Sequence, residues 1–133
     1  MDLRTFLEIE TAKPFAWGET DCCAMADRWV SLRAGFSPLD RYGRRHRCRA
    51  DAIAWIDDDA RYLARAVLAV MRHAELKRTR NPQPGDVGLV RIRNMLVMAI
   101  CSGRLWVGRD VNGFMAASSN GLARAWRVPC REQ

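Results

Sequence analysis

The sequence predicts an α+β fold in which N-terminal helices pack on a C-terminal antiparallel sheet. Up to Ala74, apolar residues recur at three- and four-residue spacings, the period of a helix. After Asn81-Pro82-Gln83-Pro84-Gly85 they fall instead into short, β-branched runs separated by Gly- and Asn-containing turns. At 133 residues the chain suits one hydrophobic core, so residues 1–133 are read as a single domain.

Leu3, Phe6, Leu7 and Glu10 outline a short amphipathic helix that Pro14 ends. A second helix is predicted from Asp21 to Ala34, started by the capping types Thr20 and Asp21 and closed by Gly35 and Pro38. Asp51 to Trp55 suggests a helical turn. Asp57-Asp58-Asp59 then suits the positive N-terminal end of a helix over Ala60 to Ala74, with Leu63, Ala66, Val67, Val70 and Met71 on its apolar face. Strands are expected at Val87 to Ile92, Met95 to Cys101 and Arg104 to Val107, with turns at Arg93-Asn94 and Ser102-Gly103. Asn112-Gly113, Asn120-Gly121 and the run from Ala123 to Val128 supply two more. The nearly continuous apolar run at Met95 to Cys101 marks a central strand covered on both faces.

Composition narrows the function classes. No apolar run is long enough to span a bilayer and Met1-Asp2-Leu3-Arg4 is no secretory signal, so a soluble protein made in a cytoplasm is expected. Five cysteines with no Cys-x-x-Cys spacing point to reduced thiols rather than a disulfide framework or zinc site, and three consecutive aspartates are poor metal geometry. No metal and no cofactor is therefore expected. The net charge is +7, and 20 of the 22 basic residues are arginine. Arg41, Arg44, Arg45, Arg47 and Arg49 cluster in one stretch, which reads as a solvated loop or as an interaction surface for acidic groups of a partner protein. Phosphate is the other ligand such a patch suits, but no nucleic-acid motif accompanies it. The five tryptophans, Trp17, Trp29, Trp55, Trp106 and Trp126, read as core or rim anchors. Cys101 reads as a buried small residue, and Cys48 and Cys130 as exposed thiols.

Trp17-Gly18-Glu19-Thr20-Asp21-Cys22-Cys23 carries the chemistry. It sets a thiol where a helix begins, and the N–H groups there favour thiolate over thiol, which makes Cys22 a candidate nucleophile beside its helix cap Asp21. The same two cysteines also suit small buried apolar positions. Which of Cys22 and Cys23 faces a groove is not decided by spacing; Cys22 is favoured because it follows the cap.

The order of motifs resembles the NlpC/P60 superfamily of papain-like cysteine peptidases. Trp17-Gly18 with Asp21-Cys22 is similar to the family's nucleophile signature, Pro84-Gly85-Asp86-Val87 to the turn that opens its sheet, and Ala99 to Gly103 and Phe114 to Gly121 to the following strands. Phe15-x-Trp17-Gly18-x-x-Asp21-Cys22 combined with Ala125-Trp126-Arg127-Val128 resembles, more narrowly, a small phage-encoded family known from tail gene clusters. The resemblance implies a papain-like fold and, in active members, a histidine base on the strand near Met95 to Ala99 and an orienting polar residue on the next. The corresponding positions here are close to Val97 and Ala116, and no histidine follows His73. Without that base a thiolate lacks the proton donor for its leaving amine, a loss of roughly 10²- to 10⁴-fold. Of the two histidines, His46 lies in the Arg-rich loop, away from where the fold delivers a base, and His73 closes a helix beside Arg72, where a positive charge suits terminal carbonyls.

The resemblance thus implies a structural component of a phage tail tip or tail assembly, built on a degenerate hydrolase scaffold and docking other tail proteins. It would sit in the virion after synthesis in the bacterial cytoplasm. The alternative is an active cysteine peptidase or amidase on peptidoglycan peptides with Cys22 as nucleophile; a basic nucleic-acid-binding accessory protein is the third reading.

Overall fold

A computed structural model describes residues 1–57 and 60–131, with main chain only for Ala60. Helices α1 (Leu3–Thr11), α2 (Cys22–Ala34), α3 (Pro38–Tyr42), α4 (Arg49–Ile56) and α5 (Ala60–His73) precede strands β1 (Val87–Ile92), β2 (Met95–Cys101), β3 (Trp106–Asp110), β4 (Gly113–Ala117) and β5 (Leu122–Trp126). The strands form one antiparallel sheet in the order β4-β3-β2-β1-β5, with the helices packed against it. This is the α+β architecture that the change of apolar period predicts.

Each boundary has a local cause. Asp2 caps α1 by accepting the Thr5 N–H at 2.8 Å, and Asp21 caps α2 by accepting that of Ala24 at 3.0 Å. Gly35, at φ +89°, ends α2 with its N–H on the Ser31 carbonyl. α3 differs from the sequence expectation, which took Pro38 only as a stop. Ser37 caps it and Pro38 occupies its first turn, where a missing N–H costs nothing. α4 is longer than the single turn expected. Asp57 lies outside the α5 start, as the left-handed residue closing α4, while Asp58 and Asp59 lie outside the described residues. The turn at Arg93-Asn94 has positive φ at both residues, as a two-residue hairpin requires.

β2 is central, and its side chains alternate between two apolar layers. Met98 and Ile100 pack with Met25, Trp29 and Val30 of α2, while Val97, Ala99 and Cys101 pack with Val90, Trp106 and Met115 on the other face. Trp29 locks helix to sheet: it lies 5.2 Å from the Phe6 ring, and its Nε1–H donates to the Gly85 carbonyl at 2.8 Å. Asp86, fully buried beside it, accepts the N–H groups of Gln83 (2.9 Å) and Val128 (3.1 Å) and the Nε–H of Arg127 (3.0 Å). Glu10, also buried, pairs with Lys13 at 2.8 Å and with Arg28, which ties α1 to α2. β2 and β3 pair only at Ile100↔Val107 and Cys101↔Trp106, so the sheet opens beyond that point.

Candidate functional site

The helix start that carries Cys22 is held by Asp21, which is 4% exposed. Beyond capping Ala24, its carboxylate accepts the Gly18 N–H at 2.5 Å and the Nε2–H of His46 at 2.8 Å. Thr20 braces the preceding turn, accepting the Ala16 N–H at 2.7 Å and donating its hydroxyl to the Pro14 carbonyl at 2.8 Å. Gly18 is required for two reasons. Its φ is +82°, and a Cβ there would lie 2.7 Å from the main chain of Arg47. The Trp17-Gly18 turn therefore abuts the main chain of the residue that follows His46. Gly18→Ala is expected to lower stability by roughly 2 kcal/mol, from left-handed strain plus displacement of this loop, measurable by urea unfolding.

His46 departs from the sequence expectation. The sequence sets it away from Cys22 in a solvated basic loop; in the fold it is 7% exposed and lines the same cavity as Cys22. Its arginine neighbours find other partners. Arg41 sits over the Phe36 ring at 3.6 Å and Arg44 over that of Trp55 at 4.5 Å, while Arg45 pairs with Asp27 at 3.1 Å and Asp40 at 2.8 Å. The basic surface expected of Arg41, Arg44, Arg45, Arg47 and Arg49 thus needs one correction: Arg45 is an internal tie between α2 and α3. Arg41, Arg44, Arg47 and Arg49 are exposed. Asp27, invisible as a site residue in the sequence, is the buried centre of that tie, accepting also the Ser37 hydroxyl and the Leu39 N–H.

Cys22 is half-buried at the floor of a cavity of about 590 Å³. Trp17, Leu39, His46 and Trp55 line one side, Leu63 and Val67 of α5 another, and Leu96, Val97 and Met98 of β2 a third. The Cys22 and Cys23 sulfurs are 4.0 Å apart, within thiol–thiol hydrogen-bonding reach. That bond lowers the pKa of the Cys22 thiol; burial and the Asp21 carboxylate oppose the shift, and the main-chain N–H groups of Met98 and Cys23 reinforce it. The same bond, with burial, raises the Cys23 thiol well above its ordinary value. Cys22 is therefore the thiol poised to ionise. His46 is not among its hydrogen-bonding neighbours among the described residues.

Val97 is buried on β2, at the edge of the same cavity, and packs in the sheet's far layer. Ala116 is exposed on β4, opposite Val107, and does not line the cavity. His73 stands apart, edge-on to the Tyr42 ring at 5.7 Å. Cys101 is buried and Cys48 exposed, while Cys130 is half-buried rather than exposed. Among the described residues no group of three or more His, Cys, Asp or Glu is arranged to hold a metal ion, and no helix is long and apolar enough to cross a membrane.

A family model described as a domain of unknown function, DUF6950, matches residues 1–128. The chain belongs to the DUF6950 family. No curated protein and no solved structure matches it. The DUF6950 match takes in every element from α1 to β5 and all the groups around the thiol, including Asp21, Cys22 and His46.

Proposed function

We propose that this DUF6950 protein is a structural component of a phage tail tip or tail assembly, built on an NlpC/P60-like, papain-like scaffold and working by docking rather than hydrolysis. One observation carries the loss of hydrolysis. The two positions at which the resemblance expects a base and its orienting residue are Val97 and Ala116, and neither can move a proton. The thiol, its helix and its cleft are kept while the proton transfer is gone, which suits a hydrolase scaffold reused for binding. The exposed arginines beside the cleft favour acidic partners. The phage-tail setting rests on the motif pairing of Phe15 to Cys22 with Ala125 to Val128. The virion is the corresponding location.

The His46–Asp21 pair favours a second reading, a cysteine peptidase or amidase acting on peptidoglycan peptides, with Cys22 as nucleophile and His46 swinging from Asp21 to serve as base. Two measurements separate them. Iodoacetamide is expected to modify Cys22 with an apparent pKa below that of an ordinary cysteine and to leave Cys23 nearly untouched at the same pH, as read by mass spectrometry of the digested protein. Peptidoglycan stem peptides are expected to survive incubation with the protein. Cleavage that disappears in both Cys22→Ala and His46→Ala would replace docking with hydrolysis. Failure to associate with any tail protein encoded beside it would remove the docking reading.

A further inference from the structure

The cavity over Cys22 opens where two strands part. Cys101 exchanges main-chain hydrogen bonds with Gly85 and Asp86, on the β1 side. Alternation along the strand then turns the main-chain groups of Leu96 and Met98 to the opposite side, toward β3, whose Gly108 still packs against the Met98 carbonyl. The N–H of Met98 is directed at the Cys22 thiol, and Leu96 lies further out along the same cavity wall.

The rim beside this opening is basic. Leu39 lines both the apolar cavity and a neighbouring depression of about 700 Å³ that includes Arg44, Arg45 and Arg47. Its acidic members are already engaged: Asp40 holds Arg45, and Asp51 accepts the Arg47 N–H at 3.0 Å. The guanidinium groups of Arg44 and Arg47 have no ion-pair partner among the described residues.

We infer that this cleft docks an acidic segment of a partner protein, its apolar side chains in the cavity and its carboxylates on Arg44 and Arg47. The partner's being a protein rests on the docking function proposed above. An apolar cavity of about 590 Å³ is in the range that holds a ligand of several groups rather than one side chain. The unpaired arginines select acidic flanks and speed encounter.

The test uses the full chain and a displayed library of unselected 12-residue peptides. Selected binders are expected to carry Asp or Glu flanking Leu, Ile, Phe or Trp, and to quench the fluorescence of the intact protein, whose Trp17 and Trp55 line the cavity. Their affinity is expected to fall about tenfold or more in Arg44→Glu/Arg47→Glu, whose changes are on the surface, and to weaken with added salt. Val67→Trp, which fills the cavity, is expected to abolish binding; a thermal melt shows whether it folds, and the arginine variant decides if it does not. Recovery of no binder, binders without acidic enrichment, or equal affinity for the arginine variant overturns the inference. So does laurate or a peptidoglycan stem peptide displacing the selected peptides at lower concentration than they displace themselves. Association with tail proteins that persists in Arg44→Glu/Arg47→Glu would keep the docking function and refute this cleft as its seat, whereas arginine-dependent peptide binding with no tail association would refute the docking function and leave the cleft's specificity standing.

Discussion

Asp21→Ala is expected to destabilise the fold by about 3 kcal/mol, the sum of a lost helix cap, near 1 kcal/mol, and the stranding of a buried His46 and Gly18 N–H. Asp21→Asn keeps the cap oxygen and is expected to cost about half as much. Because His46 and Asp21 touch, Asp21→Ala/His46→Ala is expected to cost less than the two single losses added, which urea denaturation of the four proteins would show. The same carboxylate sets an acid limit. Burial works against its ionisation, but the hydrogen bond and charge of His46, and the N–H groups of Ala24 and Gly18, outweigh it and hold its pKa below the ordinary 3.8. A group depressed in the folded state stabilises fully above its unfolded pKa and loses that contribution as pH falls through the folded one. Stability relative to Asp21→Asn is therefore expected to shrink as pH falls below about pH 4. A difference that grows as pH falls through that range would refute the assignment.

Asp86→Ala is expected to cost at least as much, about 3–4 kcal/mol. It orphans the buried N–H of Val128, frees the less buried N–H of Gln83 and removes the partner of Arg127, in a region where Val128 is 1% exposed. Arg127→Ala tests which part matters. Its side chain is 42% exposed, so screening by water limits the pair's worth to roughly 1 kcal/mol or less. Near-equal losses from the two substitutions, in denaturant titrations monitored by tryptophan fluorescence, would show that the ion pair rather than the main-chain donors anchors the C-terminal segment.

The periodic elements were legible in the sequence because burial of one face imposes spacing. α1, α2 and α5, the β1–β2 hairpin and the centrality of β2 all follow from it. Asp21 was legible as a cap for the same local reason. What escaped depended on long-range pairing. His46 sits among arginines whose charges suggest a solvated loop, and its burial is decided by Asp21, 25 residues earlier. Arg45 looked like its neighbours, yet Asp27 and Asp40 claim it. Ser37-Pro38 carried a readable start signal for α3, a capping hydroxyl before a first-turn proline, which was eclipsed by its equally valid role as a stop for α2. The lowered Cys22 pKa was expected from the helix N-terminus; the neighbouring Cys23 thiol turns out to be its leading cause.

The position of β1 between β2 and β5 bears on how this protein is made. β1 gains its first partner within a tight turn, but its second only when residues 122–126 have been synthesised. Until then the growing chain carries one unpaired strand edge beside an apolar layer that includes Val90 and Trp106. The helix bearing Cys22 can form long before β2 has been made, so during synthesis the thiol lacks the cavity wall that Leu96, Val97 and Met98 later give it.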